Sequence, residues 1–308
     1  MSFKNNEKII KFYNMLLTDI TKNNFEINNY KKVINIINQL NYDITINNLD
    51  TLQNIKYIGN NTIKRIKDIL QTNTTEGIDK NICEKQTEIN KLLSIHGIGL
   101  VKATKLYDKN ITFNNIDEHL KELTHEQCIG VKYKNYINLK IPRKEIDKYK
   151  TKITKLLKNY NNILIFDICG SYRRGNLESG DIDLLISSNK NDINLNNLIN
   201  YLSNKKLLID HLSYGEKKYM GLSKLTPKSI PRRIDIRVIP KISYYYALLY
   251  FTGSAKTNKY MREIAKGKNY KLSEYNLTNN NTNENYLVNS EKDIFDLLDI
   301  KYIEPHNR

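Results

Sequence analysis

The segment that most narrows what this chain can fold into is Cys169-Gly170-Ser171-Tyr172-Arg173-Arg174-Gly175-Asn176-Leu177-Glu178-Ser179-Gly180-Asp181-Ile182-Asp183-Leu184-Leu185-Ile186. An apolar run from Ile163 to Cys169 predicts a buried strand. It breaks at Gly170-Ser171. The pair Arg173-Arg174 and a stretch bounded by Gly175 and Gly180 follow. A second apolar run then carries Asp181 and Asp183 with one residue between them. Residues two apart on a strand share a face, so both carboxylates aim at one spot. Like charges held that close repel, and a divalent cation is the ordinary means of keeping them together.

A third carboxylate stands in Arg232-Arg233-Ile234-Asp235-Ile236-Arg237-Val238-Ile239-Pro240. Ile234, Ile236 and Val238 alternate with Arg233, Asp235 and Arg237, which predicts a strand with one apolar and one charged face. Laid beside the first acidic strand, it adds Asp235 to the pair. Three carboxylates on one sheet face predict a site for two magnesium ions, the apparatus of in-line displacement at phosphorus. Ser171 and Arg174, on the glycine-flanked turn, are placed to meet a triphosphate. A lone Asp-x-Asp is more often a solvated strand edge. Here it coincides with a Gly-Ser turn, two arginines and a third acidic strand, and that reverses the balance.

Gly-Ser-x-Arg-Arg-Gly at 170–175, Gly-Asp-x-Asp at 180–183 and Arg-Arg-Ile-Asp-Ile-Arg at 232–237 together resemble the palm of the family X DNA polymerases, most nearly the polymerase beta type. Leu249-Tyr250-Phe251-Thr252-Gly253-Ser254, followed by Asn258-Lys259-Tyr260-Met261-Arg262, is similar to the same family. The resemblance runs from about residue 25 to the last residue and is most specific from Pro142 onward. It implies an α+β fold in four parts. These are a lyase-like helical domain (1–78), a helix-hairpin-helix DNA-binding subdomain (79–142), a catalytic palm (143–242) and a nucleotide-selection subdomain that closes over the nucleotide (243–308).

The activity implied is template-directed addition of deoxynucleotides from dNTPs to a primer 3′-hydroxyl, as in short-gap filling during base excision repair. Asp181, Asp183 and Asp235 would hold two magnesium ions, with manganese as a substitute. Ser171, Arg174, Gly180 and Asp181 would bind the triphosphate, with Lys140 where the family has arginine. Tyr250, Phe251, Gly253, Asn258 and Arg262 would face the sugar and the nascent base pair. Arg233 and Arg237 would lie against DNA. Ala255 departs from the family, which has an acidic residue there. The implied partners are gapped or nicked DNA, dNTPs and a DNA ligase, for a protein acting as a monomer without a membrane.

At 308 residues, 40% of them hydrophobic, the chain is long enough for two or more cores. Its formal net charge of +16 calls for a polyanion or very high solubility, and nucleic acid is the commonest such partner. Asn, Ile, Lys and Tyr crowd the chain and Trp is absent, as in AT-rich genomes such as those of some large DNA viruses. The expected place is intracellular: cytoplasmic if viral, otherwise nuclear. Cys83, Cys128 and Cys169 show no paired spacing, so neither a zinc site nor a disulfide framework is expected. No apolar signal run opens the chain, and no stretch has membrane-spanning length.

Along the chain, Ile9, Ile10, Tyr13, Leu16 and Leu17 have helical spacing, as do Tyr30, Val33, Ile34 and Ile37, and again Ile63, Ile66, Ile69 and Leu70. The Asn-rich residues 41–51 predict a loop, and 72–80, with Gly77, a linker. Ile95-His96-Gly97-Ile98-Gly99-Leu100 has the pattern of a helix-hairpin-helix turn. There Gly97 and Gly99 let the backbone approach a DNA phosphate. Ile55-Lys56-Tyr57-Ile58-Gly59-Asn60 is a weaker copy, because Tyr57 replaces the first glycine, and it is read as a plain turn. Through the resemblance, the carbonyls of Leu93, Ile95 and Ile98 would bind sodium or potassium, with Gln53, Ile55 and Ile58 as the counterparts in the first copy. A helical segment over 116–140, a helix starting at Pro142, a core stripe of Leu195, Leu198, Ile199 and Leu202, and two strands joined by a short turn at 213–218 follow. Template-independent relatives carry a long loop at that turn. Near the end, 276–285 predict a polar loop, and Ser290 with Asp293 caps a last helix.

The family's second activity removes a 5′-deoxyribose phosphate through a lysine imine. In this sequence Arg65 holds the nucleophile position, Lys64 and Lys67 stand beside it, and only Tyr30 matches in the phosphate pocket. Two rival readings stay open. One is another nucleotidyltransferase on the same palm, and the other is a non-catalytic DNA-end binder.

Overall fold

The computed structural model describes residues 3–17, 24–72, 80–160, 163–188 and 194–308. They form two compact units, Met1–Ser94 with Ile98–Glu118, and Ile95–Gly97 with His119–Arg308.

The first unit is helical, with α1 (Lys4–Leu17), α2 (Asn24–Gln39), α3 (Asn60–Thr72), α4 (Lys80–Leu93) and α5 (Leu100–Asp108). The expected stripes make its core: Ile9, Tyr13 and Leu16 meet Tyr30, Val33 and Ile37, and both meet Ile66 and Ile69. The Asn-rich stretch is not the expected loop. Ile46–Leu52 forms a 3-10 helix that buries Leu49 and Leu52. Polar bonds from α1 replace solvation there. The Asn6 amide donates to the Tyr42 carbonyl at 2.8 Å and accepts from the Ile44 N–H at 2.9 Å. Of the expected linker, residues 73–79 lie outside the described residues.

The second unit is α+β. It runs through α6 (His125–Lys132), β1 (Ile141–Pro142), α7 (Arg143–Lys158), β2 (Ile163–Ile168), α8 (Gly170–Arg173), β3 (Glu178–Ser179) and β4 (Ile182–Ser188). Then come α9 (Leu195–Asn204), β5 (Leu208–Tyr214), β6 (Lys218–Ser223), β7 (Arg232–Pro240), α10 (Tyr244–Thr252), α11 (Ala255–Gly267), β8 (Tyr270–Leu272), β9 (Leu277–Asn279) and α12 (Glu291–Leu297). The segment over 116–140 is less helical than expected: α6 is preceded by two short 3-10 turns and followed by turns. The polar stretch 276–285 contains β9, because Leu277 is needed in the core.

Five strands make the central sheet in the order β2-β4-β7-β6-β5. Only the β4–β7 pair is parallel. One face carries Ile182, Leu184, Ile186, Ile234 and Ile236 and packs on α7 and α9 through Ile146, Tyr149, Ile153, Leu198, Ile199 and Leu202. The other face brings Leu185 and Ile239 against Tyr244, Ala247 and Leu248 of α10. Asp183 and Asp235 belong to that second face by simple alternation. The last segment has its own core around Leu249, Met261, Leu277, Ile294 and Phe295. Its final helix α12 opens with the expected cap, Ser290 Oγ accepting from the Asp293 N–H at 3.2 Å. Among the described residues no helix is long and apolar enough to cross a membrane.

Candidate active site

The parallel pairing of β4 and β7 places Asp183 directly opposite Asp235. Asp181 lies just before β4, two residues from Asp183 and on the same side. The three carboxylates converge, each offering an oxygen within 4.8 Å of the others. No other group of three acidic, histidine or cysteine side chains comes together in this way among the described residues.

The strain of that convergence is visible. Burial, and then the charges of Asp181 and Asp235, push the Asp183 carboxyl from the usual 3.8 up to about 7. Burial also raises Asp235, while Arg233 opposes the rise. Asp235 Oδ1 is buried and has no hydrogen-bond partner among the described residues. Cations answer only part of the charge. Arg233 donates to Asp181 Oδ2 at 2.6 Å, and Lys218 Nζ stands 3.9 Å from Asp235 Oδ2. A hard divalent ion bound by oxygen ligands fits this donor set and would use the orphaned oxygen.

A raised carboxylate makes pH and metal dependence linked quantities. Folded Asp183 holds its proton more tightly than the unfolded chain does, so its contribution to stability is full below about pH 4. That contribution is lost as pH rises toward 7. In metal-free buffer the Tm of wild type relative to Asp183→Asn should therefore fall between pH 4.5 and about 7. Adding magnesium at pH 7 should raise the wild-type Tm and release protons, both readable by thermal scans and in unbuffered solution.

The turn before the carboxylates explains its glycine. Gly170 has φ +56°, and a Cβ there would fall 1.9 Å from Asp183 Oδ2. Only glycine lets α8 pass this close to the carboxylate. α8 carries Ser171, half-buried, and delivers Arg174, whose Nη1 donates to the Thr252 carbonyl at 2.6 Å. Gly253 follows at φ +70°, where a Cβ would be 3.3 Å from Arg174 Nη1. Gly180 is different: a Cβ there would meet nothing within 4 Å, so the chain's own packing leaves that backbone open.

The expected nucleotide-facing residues also assemble. Tyr250, Ala255, Asn258 and Arg262 line one open cavity of about 390 Å³, with Lys259, Glu263 and Lys266. Asn258 Nδ2 donates to the Tyr250 carbonyl at 2.8 Å, and the Arg262 guanidinium lies 5.0 Å from the Tyr250 ring centre. Tyr250 and Phe251 meet edge to face at 5.0 Å. Phe251 and Arg237 line a second, small cavity with Asp183, Asp235 and Lys218, and the Arg237 guanidinium sits 4.9 Å from the Phe251 ring centre. Arg237 is half-buried there. Lys140 stands exposed, its carbonyl accepting from Arg232 at 3.2 Å.

The hairpin residues lie apart from this cluster in sequence. Gly97 has φ +81°, and its carbonyl accepts from Gln127 Nε2 at 2.9 Å. A Cβ at Gly99, the N-cap of α5, would meet nothing within 4 Å. Leu93 and Ile98 belong to the first unit and Ile95 to the second. In the first unit Arg65 donates to the Tyr30 hydroxyl at 3.1 Å, while Lys64 and Lys67 are exposed.

Several residues escaped the sequence reading. Lys218 reaches Asp235 because β6 pairs with β7, a register no local pattern reveals. Arg173 was visible as half of a pair, but its partner was not. It makes a bidentate pair with Glu291, at 3.0 and 2.6 Å, and donates to Thr252 Oγ1 at 2.7 Å. Arg308 binds the same carboxylate at 2.7 Å.

Known proteins resemble this chain over most of its length. The model of the DNA polymerase beta palm matches residues 140–241, and that of the DNA polymerase beta thumb residues 247–308. The chain is 29% identical over 274 residues to DNA polymerase lambda of Rattus norvegicus, covering 83% of this chain and 48% of that protein. It is 26% identical over 284 residues to DNA polymerase lambda of Arabidopsis thaliana, covering 84% and 54% respectively. The chain spans about half the length of these curated relatives.

Proposed function

Because the chain belongs to the family X DNA polymerases, we propose that it is a template-directed DNA polymerase that extends a primer 3′-hydroxyl with dNTPs, in the filling of short gaps during base excision repair. The observation that carries this reading is the convergence of Asp181, Asp183 and Asp235 on the face beside the Tyr250 cavity's segment. When bound there, two magnesium ions would supply the Lewis acidity for a nucleophilic hydroxyl and the charge to balance a departing pyrophosphate. All three carboxylates would hold one ion, and Asp181 with Asp183 the other.

The chain's own residues do the rest. Ser171, Arg174 and the open backbone at Gly180 bind the phosphates, with Lys140 adding charge but no bidentate fork. Tyr250, Phe251 and Gly253 accommodate the sugar, and Asn258 and Arg262, one turn apart on α11, face the base pair. Arg233 orients Asp181 and the primer end. Arg237, over the Phe251 ring, would lie against DNA. The residue 215–217 turn between β5 and β6 is short, which supports a templated reaction. The segments 1–78, 79–142, 143–242 and 243–308 would act as lyase-like, hairpin, palm and nucleotide-selecting parts. Gly97 and Gly99 would hold the DNA backbone, with a sodium or potassium ion on the Leu93, Ile95 and Ile98 carbonyls. A DNA ligase would seal the product, and the protein would act as a monomer. The lyase step is not assigned, since the Arg65 guanidinium forms no imine.

One gapped duplex tests the reading. With a 5′-deoxyribose phosphate on its downstream strand, it should be extended with dNTPs, in template order, at least 100-fold faster than with rNTPs. It should give little adduct on borohydride trapping. Preferred use of rNTPs or of a non-DNA acceptor would point to the other nucleotidyltransferases. Binding without any extension would leave a DNA-end binder.

A further inference from the structure

The turn that carries Ser171 and Arg174 is too short to hold its own shape. α8 is a single helical turn, and an isolated turn is not stable by itself. It must be held from outside, and the first turn of α7 does this. Arg143 and Asp147 are four residues apart, so they share one face of that helix. Arg143 Nη1 donates to the Tyr172 carbonyl at 2.7 Å and to the Asn176 carbonyl at 3.4 Å. Its guanidinium lies 4.3 Å from the centre of the Tyr172 ring. Tyr172 in turn donates its hydroxyl to Asp147 Oδ1 at 2.8 Å. The Arg143 N–H donates to the Leu177 carbonyl at 2.8 Å, and β1 then pairs with β3, Ile141 opposite Ser179.

Tyr172 is the middle of this arrangement. It is 8% exposed and packs with the core beneath the sheet. A buried tyrosine hydroxyl needs a partner, and Asp147 supplies it. The Tyr172 carbonyl takes both the Arg143 guanidinium and the Gly175 N–H, the latter at 3.0 Å. Ser171 stands immediately before Tyr172 and Arg174 two residues after it. Whatever fixes Tyr172 therefore fixes both phosphate-binding candidates. A misplacement of about 1 Å in such groups costs as much as ~10²-fold in rate, so the fixing has consequences for function.

We propose that Arg143, Tyr172 and Asp147 form a brace that positions Ser171 and Arg174 for a triphosphate. Arg143 spends its Nη1 on the turn and acts through the turn, as a positioning residue. The identity of the ligand rests on the polymerase reading; the brace does not.

Extension of a gapped duplex is measured over a range of dNTP concentrations, at a temperature where thermal scans show each protein folded. The variants are Arg143→Ala, Tyr172→Phe and Asp147→Asn, with Lys144→Ala, an exposed neighbour, as the control for lost charge. Arg143→Ala should raise the dNTP KM about 10-fold, and Tyr172→Phe, which loses one bond but keeps the ring, about threefold. In both, kcat and affinity for gapped DNA should stay within about twofold of wild type. Asp147→Asn keeps an acceptor oxygen, and it and Lys144→Ala should stay within about twofold throughout. A lower Tm with an unchanged KM in Arg143→Ala and Tyr172→Phe would reveal a merely structural contact and overturn the brace. An equal rise in KM for Lys144→Ala would overturn it too. If Arg143→Ala does not fold, Tyr172→Phe decides by the same criterion.

A second measurement needs no primer. Magnesium tripolyphosphate should raise the Tm of wild type and Lys144→Ala alike, and that of Arg143→Ala distinctly less. Equal shifts in all three would sink the brace. A wild type that extends no primer yet shows this difference would sink the polymerase reading and leave the brace standing.

Discussion

Asp235→Ala should reduce nucleotide incorporation roughly 10³-fold or more, with gapped-DNA affinity within about twofold of wild type. The size follows from the chemistry: a divalent ion contributes several kcal/mol of charge stabilisation in such a displacement, and each 1.4 kcal/mol is tenfold in rate. Asp235 is the carboxylate whose Oδ1 has no other partner, so its removal takes a ligand and leaves no orphan of its own. The fold should tolerate the change. Asp183, directly opposite, loses a like-charged neighbour, and its carboxyl should fall in part while burial and Asp181 still hold it up. Single-turnover extension of a gapped duplex, paired with a DNA-binding titration and a thermal scan, separates the outcomes. Loss of activity with a Tm at or above wild type supports a metal-ligand role. Retained extension at more than a few per cent of wild type would remove Asp235 from the site.

Glu291→Ala should be the most damaging single change to stability in the second unit. Its carboxylate, 5% exposed, is shared between Arg173 and Arg308, whose side chains are 22% and 0% exposed. Breaking a buried ion pair from one side costs about 3–5 kcal/mol, because a charge is left without its partner, and here two guanidiniums are left. For a unit of this size that corresponds to a Tm loss of roughly 6–20 °C. Glu291→Gln keeps acceptor oxygen and should lose about half as much. The effect should extend to nucleotide binding. Arg173 also donates to Thr252 Oγ1, and Arg174 to the Thr252 carbonyl, so the same network holds the residue before Gly253. Denaturant unfolding of the two variants checks the first point, and the dNTP concentration dependence of Glu291→Gln the second. A Glu291→Ala protein as stable as wild type would show that the carboxylate does not carry the two arginines.

Much of this was legible in the residues because the physics involved is local. Asp181 and Asp183 share a side because strand alternation has period two, and that needs no neighbour. The stripes on α1, α2, α3 and α9 are equally local: helical spacing selects one face, and whatever covers it must be apolar. The Asn-rich stretch 41–51 and the polar stretch 276–285 misled for the converse reason. Polar composition suggests solvent, but Asn6 reaches back to bond the first, and Leu277 draws the second into a hairpin.

What required the tertiary structure was pairing across sequence distance. Asp235 could be named from its own strand, but it faces Asp183 only because β7 lies parallel to β4 in that register, and a slip of one residue would turn it into the helix-covered core. Glu291 meets Arg173 across 118 residues, and Lys218 meets Asp235 through β6. A single sequence carries the periodicity that chooses a face. It does not carry the register that chooses a neighbour, because register is set by how whole elements pack, and the charges that meet in this site were brought together by that packing.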